Sequence, residues 1–221
     1  MFPLRDNVPS RSFPIVNLGL IAANAAVFFF ELSLSPSGLE ALVREYGLVP
    51  IRYAHGLSQA DSWLPFLSSQ FLHGGWAHVL SNLWILYIFG DNVEDRLGHL
   101  RFLLFYLLSG ISAAMAQLLA SWGSSVPMIG ASGAIAGVMG AYFILFPRAR
   151  VLTLVPIFIF LQTVEVPAFL FLLLWLWSQF YAGSLALSGS QAGGVAWWAH
   201  IGGFIGGISL LGLVLPKGRR R

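Results

Sequence analysis

Polar side chains interrupt long apolar stretches of this sequence, and the informative ones are His78, Asn82, Ser132, Glu165 and His200. A serine hydroxyl becomes a nucleophile when a base accepts its proton, and a neutral imidazole within hydrogen-bond reach is such a base. His200 is the natural partner for Ser132. The oxyanion formed on attack at a carbonyl needs preorganised donors, and Asn82, His78 and the backbone N–H of Ser132 can supply them. His78 and Asn82 stand four residues apart, which on a helix puts them on one face. A serine near a helix start also gains unsatisfied N–H groups and the positive end of the helix dipole. No carboxylate stands ready as a third member. Asp61 falls in a loop, Asp91, Glu94 and Asp95 fall beyond the far end of the segment bearing Asn82, and Glu165 approaches from the opposite side. The pattern favours a Ser–His dyad working through an acyl-enzyme.

The elements that must position these residues follow from composition. Of 221 residues, 57% are hydrophobic and only 10% are Asp, Glu, Lys or Arg, with a mean hydropathy of +0.77. A soluble domain carries about 25% charged residues, so the sequence predicts an integral membrane protein, read as a single domain over 1–221. With no cysteine, disulfides, thiolate metal sites, Fe–S clusters and thiol nucleophiles are excluded, and no metal or cofactor is expected. A crossing helix needs about 20 mainly apolar residues. Stretches between charges predict six spans, at 15–32, 76–90, 101–120, 130–147, 167–187 and 195–215, with a loop over 33–75. This is an all-α, polytopic bundle of six transmembrane helices. The first span runs on through Phe28-Phe29-Phe30 past its alanines, so it reads as an uncleaved helix and not a signal peptide.

Six spans put both termini on one side. That side collects ten of the twelve Lys and Arg residues, leaving only Arg44 and Arg52 opposite, and is therefore expected to be cytoplasmic. The basic pI is thus a topology signal and not a nucleic-acid footprint; no nucleic-acid partner is expected. The tail 217–221 is expected to sit against anionic headgroups. A plasma membrane is the expected location. The 33–75 loop is expected to fold onto the membrane surface as scaffold or lateral wall. The 151–160 segment is expected to be an interfacial or re-entrant lead-in to the fifth span, and no strand pattern is read.

The second, fourth and sixth spans enter from the outer side, and His78, Ser132 and His200 each lie a few residues past a span's start. At 1.5 Å per residue, each sits on the order of 5 Å below the outer edge of the hydrocarbon. Taken singly, each residue also has a structural reading. A serine between Gly130 and Gly133 suits close helix packing, and a lone histidine or asparagine in a span suits an interhelical hydrogen bond. A proton-coupled transporter using His78, His200 and Glu165 as a relay, or an inactive binding protein for membrane clients, are the functional rivals.

The motifs resemble those of the rhomboid family of intramembrane serine proteases. Gly130-Ala131-Ser132-Gly133 with Gly137 matches GxSGxxxG, Ala199-His200 followed by Gly202, Gly203, Gly206 and Gly207 matches AHxGGxxxG, and His78 with Asn82 matches HxxxN. The resemblance implies that Ser132 is the nucleophile and His200 the base. It makes His78, Asn82 and the Ser132 amide the oxyanion donors, with Gly130 leaving room for substrate. It also implies single-pass membrane proteins as substrates. Glu94-Asp95-Arg96-Leu97-Gly98 looks like the family's ExRxG element and is expected to serve folding, and His73 is expected to be structural. Two departures stand out. Trp63-Leu64 replaces a frequent Trp-Arg pair, and Ala136 stands where some members stack a tyrosine on the base, so another group must hold the His200 ring. Glycines at 133, 137, 202, 203, 206 and 207 are expected to let the fourth and sixth helices approach closely enough to join Ser132 and His200.

Overall fold

The computed structural model describes residues 1–54, 63–157, 160–188 and 194–216; Asp61 and the basic tail 217–221 lie outside the described residues. In chain order the elements are β1 (Phe2–Asp6), α1 (Ile15–Leu32), α2 (Pro36–Tyr46), α3 (Leu64–Ser68), α4 (Trp76–Leu97), α5 (His99–Ala120), α6 (Ser132–Leu145), β2 (Arg150–Ile157), β3 (Phe160–Pro167), α7 (Ala168–Leu187) and α8 (Trp197–Val214). The six expected spans are α1, α4, α5, α6, α7 and α8. By length and composition, α1, α5, α7 and α8 can cross a membrane. The other two depart for opposite reasons. α4 continues to Leu97 through Asp91, Glu94, Asp95 and Arg96. α6 is apolar but has 14 residues, about 21 Å of rise, short of a hydrocarbon core of roughly 30 Å. Its first residue is Ser132, two positions later than expected, because Gly130 sits at φ +125° and breaks the helical path.

α6 is the centre of the bundle, and every residue from Gly133 to Tyr142 is buried. Its glycines make this possible. A Cβ on Gly203 would collide with the Gly133 carbonyl, and one on Gly207 with the Gly137 carbonyl. The other glycine pair of α8 faces a different neighbour: Gly202 meets Ala116 and Gly206 meets Ser112, both on α5. α8 therefore has two small-residue faces, one for α6 as expected and one for α5. Ser112 Oγ also donates to the Gly202 carbonyl at 3.1 Å.

Three expectations are corrected. The described part of the 151–160 segment is strand, not an interfacial lead-in, with 151–157 in β2 and Phe160 opening β3: β2 pairs antiparallel with β3, and β1 pairs with β2, giving a three-stranded sheet in the order β1-β2-β3. Alternating Val151, Thr153 and Val155 suit a pleated strand; Val151 and Thr153 are buried, and the apolar residues between them hide this period. The 33–75 loop is partly helical, through α2, α3 and 3-10 turns at Pro50–Tyr53 and Ser69–Phe71. It is pinned to the α5–α6 connection by reciprocal Leu48–Met128 backbone bonds, and Leu48, Tyr53 and Phe66 form a second core with Ala114 and Leu118 of α5.

The third correction concerns the end of α4. Its charges lie on the helix itself instead of marking a loop. Glu94 is fully buried and accepts from the backbone N–H groups of Val16 (3.0 Å) and Asn17 (2.7 Å), so it caps the first turn of α1, whose own N-cap Pro14 makes no side-chain bond. His99 Nδ1 closes on the same carboxylate, Ser12 Oγ donates to Asp95 at 2.7 Å, and Gly98 at φ +81° ends the helix. The ExRxG-like element thus joins α1, α4 and the N-terminal segment.

Three outcomes are expected. Gly203→Ala and Gly207→Ala should each lower stability by about 1–3 kcal/mol through overpacking, read as a fall in thermal midpoint in detergent. Gly19→Ala, with open space around its Cα, should leave it unchanged or slightly raised. Glu94→Ala removes the acceptor of two backbone N–H groups and should cost about 1.5–3 kcal/mol, measured the same way.

Candidate active site

The N-termini of α4, α6 and α8 converge on one cavity of about 540 Å³, lined by His78, Asn82, Ser132 and His200 among others and walled by Met139 and Trp175. His78 is the third residue of α4, Ser132 the first of α6 and His200 the fourth of α8. Glu165 is elsewhere: it pairs with Leu152 in β3 and lies 3.8 Å from Arg150, an exposed ion pair. A relay from His200 to Glu165 therefore has no path through this cavity.

Ser132 Oγ and His200 Nε2 are 2.8 Å apart. Nδ1 of the same ring lies 2.7 Å from Gln179 Oε1. Because Nδ1 faces a carbonyl oxygen it carries the proton of the neutral ring, so Nε2 offers its lone pair to the serine hydroxyl. The Ser132 N–H precedes the helical ladder, whose first bond runs from Ile135 N to the Ala131 carbonyl.

The expected oxyanion donors are arranged consistently. Asn82 is buried, lines the cavity, and its Nδ2 makes no hydrogen bond. Gly74 N–H approaches His78 Nδ1 at 3.4 Å, which assigns the ring proton to Nε2, and that atom faces Gly130. A Cβ on Gly130 would fall 2.6 Å from His78 Nε2. Gly130 is thus required twice, by its positive φ and by the histidine it accommodates. His73 does not line this cavity; its Nδ1 meets the Phe71 carbonyl at 3.1 Å, and its backbone N–H donates to the buried Glu31. Burial and the adjacent His78 ring lower the His73 imidazole to about 4 against the opposing pull of the Phe71 carbonyl, so it is neutral at pH 7.

The His200 ring is held by groups the sequence reading passed over. Ala136 offers no ring, but Trp175 of α7 lies 5.8 Å away at 35° and Trp197 lies 6.2 Å away at 89°. Gln117 of α5 accepts from Ala199 N–H at 3.1 Å, capping the start of α8 beside the histidine. Both Gln117 and Gln179 are amides inside apolar spans. The rule that made Asn82 conspicuous applies to them equally, but their spacing did not pair them with the histidine. At the start of α3, Trp63 and Leu64 are both about half exposed, and Trp63 packs on Phe66 with ring centres 5.5 Å apart.

Residues 60–217 match the Rhomboid domain. The chain is similar to the Rhomboid protease GluP of Bacillus subtilis, 33% identical over 164 residues that cover 74% of this chain and 28% of the relative. It is also similar to Rhomboid-like protein 11, chloroplastic, of Arabidopsis thaliana, 39% identical over 77 residues that cover 35% of this chain and 27% of the relative. A third relative is the mitochondrial presenilin-associated rhomboid-like protein of Bos taurus, 30% identical over 145 residues, 64% of this chain and 36% of the relative. The matched segments thus span between about a quarter and two fifths of these relatives. With the family match over most of its length and its bundle of apolar helices, this chain is a multi-pass membrane protein of the rhomboid family.

Proposed function

We propose that this protein is a serine endopeptidase that cuts transmembrane or juxtamembrane segments of single-pass membrane proteins with Ser132 and His200. The observation that carries the reading is the 2.8 Å approach of Ser132 Oγ to His200 Nε2 inside a cavity that also holds an unpartnered Asn82 amide. Ser132 gives its proton to Nε2 as its oxygen attacks the scissile carbonyl. The oxyanion takes hydrogen bonds from Asn82 Nδ2, His78 Nε2 and the Ser132 N–H. Collapse transfers the proton from His200 to the departing amine and leaves an acyl ester on Ser132. Water, deprotonated by the same imidazole, then attacks the ester and releases the acid.

The substrate must present an unwound segment, because a helical carbonyl is already hydrogen-bonded within its own helix; Gly or Pro near the cut lowers that cost. The cavity wall is shared by Ile85 of α4 and Trp175 of α7, which supports lateral access between those helices. The basic residues Arg5, Arg11, Arg96, Arg101, Arg148 and Arg150 share the end of the bundle opposite the cavity, which supports cytoplasmic termini and an active site opening to the outer side of the plasma membrane.

The reading is tested with the purified full chain in liposomes and a single-pass reporter. Ser132→Ala and His200→Ala should abolish cleavage, and a fluorophosphonate should label the parent but not Ser132→Ala; cleavage by both variants at the parental rate sinks the reading. Asn82→Ala and His78→Ala should each lower kcat by about 10²-fold with thermal midpoints near the parent's, separating transition-state donors from folding residues.

A further inference from the structure

The sequence and the mechanism above leave one question about the base: what fixes its ring and its tautomer in a site with no carboxylate partner among the described residues. We infer that Gln179 on α7 is the positioning residue for His200, its side-chain carbonyl selecting the Nδ1–H tautomer and aiming Nε2 at Ser132. The inference rests on the serine-hydrolase reading and adds to it a third group on a third helix.

The geometry is directional. His200 Nδ1 lies 2.7 Å from Gln179 Oε1, and Gln179 is buried to all but 6% of its surface. An amide can be turned end for end, so its orientation depends on what holds the other end. Gln179 Nε2 lies 3.2 Å from the Trp175 carbonyl and 2.9 Å from Ser178 Oγ. Ser178 spends its own proton on that same Trp175 carbonyl at 2.6 Å, so its oxygen can only accept from the amide. Both groups around Nε2 are therefore acceptors. Reversing the amide would set Oε1 against the Trp175 carbonyl and the Ser178 oxygen, losing both of those hydrogen bonds. The carbonyl must face the histidine, and the imidazole must carry its proton on Nδ1 when neutral.

An amide suits this place better than the carboxylate of a soluble triad. An ionised side chain amid apolar helices carries a desolvation cost of several kcal/mol, whereas a neutral carbonyl dipole orients the ring without it. The same dipole favours the positive imidazolium that forms as Ser132 attacks. Trp175, one turn earlier on α7, lies against the ring at a tilt, so α7 supplies both an aromatic contact and a polar stop.

The test uses the full chain in liposomes. Gln179→Met keeps the volume and removes the acceptor, while Gln179→Glu, taken up as the neutral acid in this apolar place, keeps a carbonyl oxygen facing Nδ1 and an O–H donor facing the Trp175 and Ser178 oxygens. For Gln179→Met, kcat and the rate of fluorophosphonate labelling should fall together by about 10- to 100-fold, with KM within about twofold of the parent's. Nitrogen-15 spectra of His200 should change from one Nδ1–H tautomer to a mixture. Gln179→Glu should recover most of the lost rate and the single tautomer. Parental labelling by Gln179→Met, a single Nδ1–H tautomer in that variant, or a Gln179→Glu protein as slow as Gln179→Met would each overturn the inference. Thermal midpoints are read alongside; if Gln179→Met does not fold, the His200 tautomer and labelling rate of Ser178→Ala decide, since loss of an acceptor for the amide should slow labelling severalfold and an unchanged rate counts against. Activity surviving in Ser132→Ala would instead undo the hydrolase reading itself, so the two failures are distinct.

Discussion

Close contact between two backbones, those of α6 and α8, is the constraint on which the rest of this molecule depends. The Gly203 Cα lies against the Gly133 carbonyl and the Gly207 Cα against Gly137. Side chains at these places would push the helices apart by more than the slack in a hydrogen bond. Ser132 precedes Gly133 by one residue and His200 precedes Gly203 by three, so the spacing of the helices is also the spacing of the serine and the histidine. Ala113 of α5 presses on Gly133 from the other side, and Ala116 and Ser112 hold the second glycine pair of α8. Small residues matter here because lipid offers no hydrophobic drive for helices to associate, leaving packing and hydrogen bonds to do so.

Near the cavity, several neutral polar groups partner one another. Gln117 holds the start of α8, Gln179 meets His200, and Gly74 N–H meets His78. Asn82 Nδ2 makes no such bond. A buried donor without a partner costs on the order of 1–3 kcal/mol, a cost that a substrate oxyanion would relieve, which ties the instability of the resting site to its proposed chemistry. At the far end Glu94, His99, Asp95 and Ser12 bind α1, α4 and the N-terminal segment into one corner. Tyr142 of α6 donates to Asp6 there, and Trp84 Nε1 donates to the Pro3 carbonyl, so β1 is fastened to the core helices and carries β2 and β3 with it.

Much of this was legible in the residues. Scarcity of charge marked the spans, and the N-terminal placement of His78, Ser132 and His200 on three of them marked a shared depth. The glycine spacing marked which helices meet. Less legible were the ends of elements. α4 runs seven residues past its expected end because Glu94 finds backbone donors on α1, a partner distant in sequence. The β2–β3 hairpin was hidden because apolar residues occupy both faces of β2, leaving no polar alternation. Gln117 and Gln179 were passed over, since amides pair with many groups and spacing does not say which.

By itself, then, the sequence determined a membrane bundle, its family and the residue types a serine–histidine reaction needs, because hydropathy and short motifs are local properties of the chain. The tertiary structure alone decided that Ser132 opens its helix, that the two glycine stripes of α8 serve two neighbours, and that an amide from α7 faces the base. Each of those depends on which atoms from distant segments come within about 3 Å, and such distances are set by packing, not by spacing along the chain.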